Sequence, residues 1–168
     1  DYWGKFEAHL MVKNPERCID ELREKGFDKI IFHIEAVKDN LEARKLIERI
    51  RNSKMKAFIA INPATKIEKV RRFLNSIDGI LFMGVYPGKE HQKFISSVYE
   101  KIKKLREIDG KICIQVDGGV NFDVACKLGS FGVDFVNSGS FVAESESPKK
   151  IIKELGRFFR KGRRLGAK

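Results

Sequence analysis

Val116-Asp117-Gly118-Gly119-Val120 closes an apolar stretch, residues 111–116, with one carboxylate and two glycines. Residues 111–116 read as a strand. A carboxylate at the carboxyl end of a parallel strand sits where α/β proteins do their chemistry, and glycines let backbone N–H groups approach an anion closely. The same residues also describe a common turn. Their weight therefore comes from the chain on either side.

Outward from this stretch, strand-like and helix-like segments alternate without a break. Strands are expected over residues 6–12, 29–35, 56–61, 79–86, 111–116 and 135–138. Helices are expected over 15–25, 40–51, 66–77, 93–108, 121–128 and 148–159. Asn14 before Pro15, Thr65 and Ser147 stand where N-caps belong. Strands alternating with helices of about 10–15 residues imply parallel βαβ units, here six of them. A closed (β/α) barrel takes eight units and about 250 residues, so six units make either an open sheet or a barrel lacking two.

Side-chain parity separates these. Side chains alternate between the two faces of a strand. One face is aliphatic, with Ala8, Leu10, Ile30, Phe32, Ile59, Ile61, Ile114 and Val116. The other gathers His9, His33, Asn62, Met83 and Asp117 near the carboxyl ends. A barrel converges those groups on one axis, whereas an open sheet spreads them across its width. The expected fold is an α/β, TIM-type (β/α) barrel with six units present.

Composition bounds the rest. The chain has 168 residues, 42% hydrophobic and 34% charged, which fits one soluble domain with a proper core. No apolar run approaches a bilayer span and no signal-peptide pattern opens the chain. Cys18, Cys113 and Cys126 show no metal spacing, so reduced thiols and a cytoplasmic setting are expected. The formal charge is +11, yet residues 149–168 carry nine Lys/Arg against Glu154 alone, a local +8. The body is nearly balanced, and residues 157–168 form a basic tail read as a solvated terminus. Neither nucleic acid nor membrane is an expected partner. The chain begins at Asp1 and enters a strand almost at once, so residues upstream of Asp1 are expected to be missing.

Six stretches occur in a specific order: His9-Leu10-Met11-Val12 with Asn14-Pro15-Glu16; Phe32-His33-Ile34-Glu35-Ala36; Ile61-Asn62-Pro63-Ala64-Thr65; Met83-Gly84-Val85-Tyr86-Pro87-Gly88; Val116-Asp117-Gly118-Gly119-Val120; and Ser138-Gly139-Ser140. Together they resemble the ribulose-phosphate 3-epimerase family. The resemblance implies that the first strand here matches the third of an eight-stranded barrel. It also implies interconversion of ribulose 5-phosphate and xylulose 5-phosphate through an enediolate. Such chemistry needs acid/base groups on both faces of the reacting carbon and positive charge on the developing oxyanions.

In that family two aspartates move the protons, and a divalent metal (zinc, iron, manganese or cobalt) is held by two histidines and both aspartates. The resemblance makes Asp117 one of these aspartates and His9 one of the metal ligands. The other two lie on a strand this chain does not contain, so the 168 residues alone are expected to be impaired. Read without the motif, His9 is a satisfied core histidine and Asp117 a turn cap. His33 matches a family histidine that lines the barrel and is read first as structural packing. Asn62 is read as orienting polar groups near the site. Met11 and Met83 are more often core filler, and by the resemblance also form an apolar layer lining the site.

Phosphate is expected on the loops after the last two strands, at Gly118, Gly119, Gly139 and Ser140, with Gly88 on a further loop. The family's Pro-Gly-Phe-Gly-Gly-Gln reads here Pro87-Gly88-Lys89-Glu90-His91-Gln92, which changes the backbone freedom of that loop. Two other readings stand beside this one. The first is another phosphosugar barrel enzyme. The second is an inactive remnant binding phosphate or RNA through the basic tail. Exposed edges of an incomplete barrel make homo-oligomerisation the expected state.

Overall fold

The computed structural model describes residues 5–88 and 92–166. Six strands alternate with helices: β1 (Glu7–Leu10), α1 (Ile19–Glu24), β2 (Lys29–His33), α2 (Asn40–Asn52), β3 (Lys56–Ile61), α3 (Glu68–Arg71), β4 (Gly79–Met83), α4 (Ser97–Ile108), β5 (Cys113–Asp117), α5 (Phe122–Ser130), β6 (Phe135–Asn137), α6 (Ser140–Ala143) and α7 (Pro148–Gly166). The strands form one sheet in the order β1-β2-β3-β4-β5-β6. The β1/β2, β2/β3 and β5/β6 pairs are parallel. Right-handed crossovers between sequential neighbours put every helix on the same side of a sheet, whereas a doubly wound sheet reverses at a switch point. Sequential order throughout is therefore the barrel pattern, with six βα units.

The chain divides into two compact units, Asp1–Ile61 with Lys66–Leu81, and Asn62–Thr65 with Phe82–Lys168. In the first, Ala43, Leu46, Ile47 and Ile50 make one buried stripe of α2, and Ile30, Ile31, Phe32, Ile59 and Ile61 are fully buried on β2 and β3. Asp39 caps α2, its Oδ1 accepting the Leu41 and Glu42 N–H groups at 2.9 Å each. Those bonds, the Glu42 N–H foremost, hold the Asp39 carboxyl below its ordinary range. Asp39→Ala is expected to lower the urea midpoint, with α2 fraying first.

Of the three expected N-caps, Asn14 and Ser147 stand directly before their helices and Thr65 does not. Asn14 makes no side-chain capping bond. The N-cap of α3 is Ile67, and Thr65 instead offers its carbonyl to Lys101 Nζ at 2.6 Å. The Ser147 carbonyl accepts the Lys150 and Ile151 N–H groups at 3.0 and 3.1 Å. The helix expected over 66–77 shrinks to α3 and a 3₁₀ turn at Leu74–Ser76. Ile67, Val70 and Phe73 are all buried along this stretch.

In the second unit, α4 buries Val98, Tyr99, Ile102 and Leu105, and α5 buries Ala125 and Leu128. α7 runs to Gly166, past the expected end near residue 159. Gly162 and Gly166 mark contact with α5, and none of the α7 glycines stops the helix. A Cβ on Gly162 would stand 1.8 Å from the Cys126 carbonyl oxygen, and one on Gly166 would stand 2.1 Å from that of Ser130. Of the eight exposed cations of α7, Lys149, Lys150, Lys153, Arg157, Arg160, Lys161 and Arg164 are spaced to fall on the side opposite buried Leu155 and Gly162, and Arg163 on the flank pairs with Asp134. Among the described residues no helix is long and apolar enough to cross a membrane.

Candidate functional site

Val116, fully buried, anchors the end of β5, and Asp117 follows as its last residue. The chain then turns through Gly118 (φ +97°) and Gly119 (φ +68°), a left-handed backbone that side-chain-bearing residues adopt only at a cost. Space is as restrictive as angle. A Cβ on Gly118 would meet Val85 Cγ2 at 2.5 Å, and one on Gly119 would meet the Phe94 backbone nitrogen at 2.8 Å. Gly84 N–H donates to the Asp117 carbonyl at 2.6 Å, and the Gly84 carbonyl accepts from Ile95 N–H at 2.8 Å. The segments after β4 and β5 thus lie backbone against backbone.

Beside Gly119 opens a cavity of about 530 Å³ whose lining includes Lys93, Asn121, Ser138, Gly139 and Ser140. Gly118 is not on that lining. Asn121 Oδ1 caps α5 by accepting Val124 N–H at 3.0 Å, which aims the positive end of that helix at the loop. Ser138 Oγ donates to the Val120 carbonyl at 2.8 Å and ties the β6 loop to the β5 loop. Beneath them Gln115, 1% exposed, donates through Nε2 to Asn137 Oδ1 at 2.9 Å. Glycine backbone, a helix N-terminus, hydroxyls and one lysine meet on this lining, groups of the kind that hold an oxyanion, together with the carboxylate of Glu144. Sequence reading found Gly119, Gly139 and Ser140 here but missed Lys93, Asn121 and Ser138. The Asn at the head of a helix after the paired glycines was the available signal for Asn121.

In the first unit β1 carries His9 one residue before its end and β2 ends on His33. Glu7 pairs with Lys29 and His9 with Ile31 in the parallel register, so His33, two residues beyond Ile31, shares the face of His9. The two rings lie edge to edge with planes 10° apart and centroids 5.0 Å apart, and Nε2 of one lies 2.9 Å from Nε2 of the other. His33 is 7% exposed, and its Nδ1 lies 3.3 Å from Glu35 Oε2. On the same face the Lys29 ammonium pairs with Glu7 and sits over the Phe58 ring at 4.4 Å.

The remaining candidates are dispersed. Met83 ends β4 and is buried at 3% exposure. Met11, just past β1, is 55% exposed, so it is not core filler. Asn62 follows β3 in a turn held by Lys101, whose Nζ donates to the carbonyls of Asn62, Pro63 and Thr65. Gly88 has φ +98° with open space around its Cβ position and does not line the cavity. Lys89, Glu90 and His91 lie outside the described residues. Cys18, Cys113 and Cys126 are thiols outside any disulfide.

The implied divalent metal can be tested against this donor set. Such an ion needs three or more protein donors converging on one point. Among the described residues no group of three His, Cys, Asp or Glu side chains is arranged to hold one, and His9 Nε2 is already engaged by His33. The described residues do not by themselves fit a metal centre.

Residues 4–143 match the model of the ribulose-phosphate 3-epimerase family. The ribulose-phosphate 3-epimerase of Schizosaccharomyces pombe is 32% identical over 150 residues, spanning 89% of this chain and 64% of that protein. The corresponding protein of Methanocaldococcus jannaschii is 36% identical over 155 residues, spanning 89% and 63%. That of Bacillus subtilis is 33% identical over 155 residues, spanning 89% and 70%. The chain thus covers under two thirds of the first two relatives. Among solved structures, 3-hexulose-6-phosphate synthase from Salmonella typhimurium aligns with a TM-score of 0.73 at 16% identity, covering 94% of this chain and 74% of that one. KGPDC from Streptococcus mutans aligns with a TM-score of 0.69 at 13% identity, covering 86% and 67%. These likenesses show the fold alone.

Proposed function

Because the chain belongs to the ribulose-phosphate 3-epimerase family, we propose that it acts in the interconversion of ribulose 5-phosphate and xylulose 5-phosphate, moving a proton at carbon 3 of a phosphorylated pentulose. The observation that carries this reading is the cavity beside Gly119, with the loops after β5 and β6 on its lining. It supports a phosphate cradle next to a carboxylate that ends the same strand.

The hydrogen on a carbon beside a carbonyl is removable because the resulting anion spreads over an enediolate. An acid/base group must stand on each face of that carbon. Asp117 is assigned to one face: it takes the proton as carboxylate and returns it as carboxylic acid. Gly119, Gly139 and Ser140 are assigned to the phosphate, whose anchoring fixes how far the reacting carbon lies from the carboxylate. A divalent cation belongs to the reading through the family, with His9 as the imidazole assigned to it. Since the described donors do not fit such a centre, no step is drawn through it.

Titration calorimetry with inorganic phosphate and with ribulose 5-phosphate tests the cradle. Gly119→Ala introduces a methyl group against the Phe94 backbone in a left-handed conformation, at a cost of about 1–3 kcal/mol. By shifting the Gly119 N–H away from the anion it is expected to weaken both ligands by about tenfold, the loss of one hydrogen bond to a charged group. Equal affinities in the two proteins, or no binding by the parent chain, would overturn the assignment.

A further inference from the structure

We propose that Glu35 and His33 are positioning residues that fix the tautomer and orientation of His9, placing the imidazole lone pair of His9 on Nδ1. This rests on the reading of His9 as a residue of the reaction, but its test does not depend on activity.

The argument is a count of protons. Two imidazole nitrogens 2.9 Å apart share one hydrogen, so one Nε2 donates and the other accepts. A carboxylate only accepts. Glu35 Oε2, 3.3 Å from His33 Nδ1, therefore calls for the proton of neutral His33 on Nδ1. His33 Nε2 is then the acceptor, and His9 must donate through its own Nε2–H. The lone pair of His9 then stands on Nδ1.

The chain of bonds is held by backbone geometry. His33 is the last residue of β2 and nearly buried. The β1/β2 register sets its ring against that of His9, and the near-parallel planes keep the two nitrogens in line. Glu35 follows two residues later in the Ile34–Ala36 3₁₀ turn. Such outer partners choose which nitrogen of a functional histidine is available.

The chain has only three histidines, His9, His33 and His91, so ¹⁵N-histidine labelling of the full chain gives an assignable spectrum. Long-range ¹H–¹⁵N correlations are recorded at a pH where all three rings are neutral. His9 is expected to show a protonated Nε2 and an unprotonated Nδ1, and His33 the reverse. His33→Phe removes the acceptor of the His9 Nε2–H and should lower the population of the Nε2–H form, whereas His33→Gln, whose side-chain oxygen can accept, should restore it. A His9 proton on Nδ1 in the parent chain would overturn the proposal, as would a His9 spectrum indifferent to His33→Phe. Ordered tautomers in a chain that exchanges no substrate proton would fail the proposed reaction and leave this inference standing.

Discussion

Asp117→Asn is expected to slow solvent-hydrogen exchange at carbon 3 of ribulose 5-phosphate by about 10²–10⁴, the range for losing a positioned acid/base group. An amide keeps the size of the side chain and cannot take up the proton. The reaction to watch is the wash-in of deuterium, followed by NMR, because it isolates one half of an epimerisation. A single carboxylate on one face can remove a proton and return a deuteron to the same position with no change of configuration. Exchange therefore reports on Asp117 even where full turnover is slow. Phosphate affinity is expected to stay within a few-fold of the parent protein, since the cradle is built from the glycines and hydroxyls beyond Asp117. An exchange rate untouched by the substitution would remove Asp117 from the reaction.

Gly162→Ala is the substitution with the largest expected effect on stability. The added methyl would stand 1.8 Å from the Cys126 carbonyl oxygen and 2.7 Å from its carbonyl carbon. Both are backbone atoms of α5 and cannot swing aside as a side-chain tip would. The helices must separate by more than an ångström, and Leu155 and Gly129 lie in the same seam. Overpacking typically costs 1–3 kcal/mol, and a rigid backbone neighbour puts this case at about 3 kcal/mol. At about 2–4 °C per kcal/mol for a chain of this length, Tm should fall by roughly 10 °C. Gly156→Ala on the same helix meets only the Arg160 guanidinium, a movable neighbour, and should be nearly neutral. Equal melting temperatures for Gly162→Ala and the parent would show that α7 does not rest on α5 as described.

How much of this could be read from residues alone follows from what each signal measures. The strand over 56–61 was legible to the residue because a buried apolar run follows Lys54, which itself turns through φ +61°. The polar face of the strands was legible from parity alone, and His9 and His33 share it. Their bond was not, because it depends on the register between two strands and on a chain turn that carries Glu35. The paired glycines were legible as a place where backbone must come close. Lys93 and Ser138 were not, since each reaches the cavity from a segment whose position is set by tertiary packing. The end of α7 was misread for a related reason. A glycine in a helical sequence normally lowers helix propensity, yet Gly162 and Gly166 stand where another helix passes too near for any side chain.

The order of the strands also bears on how the chain reaches its native state. Glu7 pairs with Lys29, Lys29 with Lys56 and Gln115 with Phe135, each across a single intervening helical segment. Each such ladder closes a short loop, and the entropy lost in closing a loop rises with its length. Pairing neighbours in sequence keeps contact order below that of a sheet joining distant strands, so parallel pairing, ordinarily slow, proceeds here in stepwise units. Nascent chain leaving the ribosome can pair each new strand with the one before it, without waiting for a distant terminus.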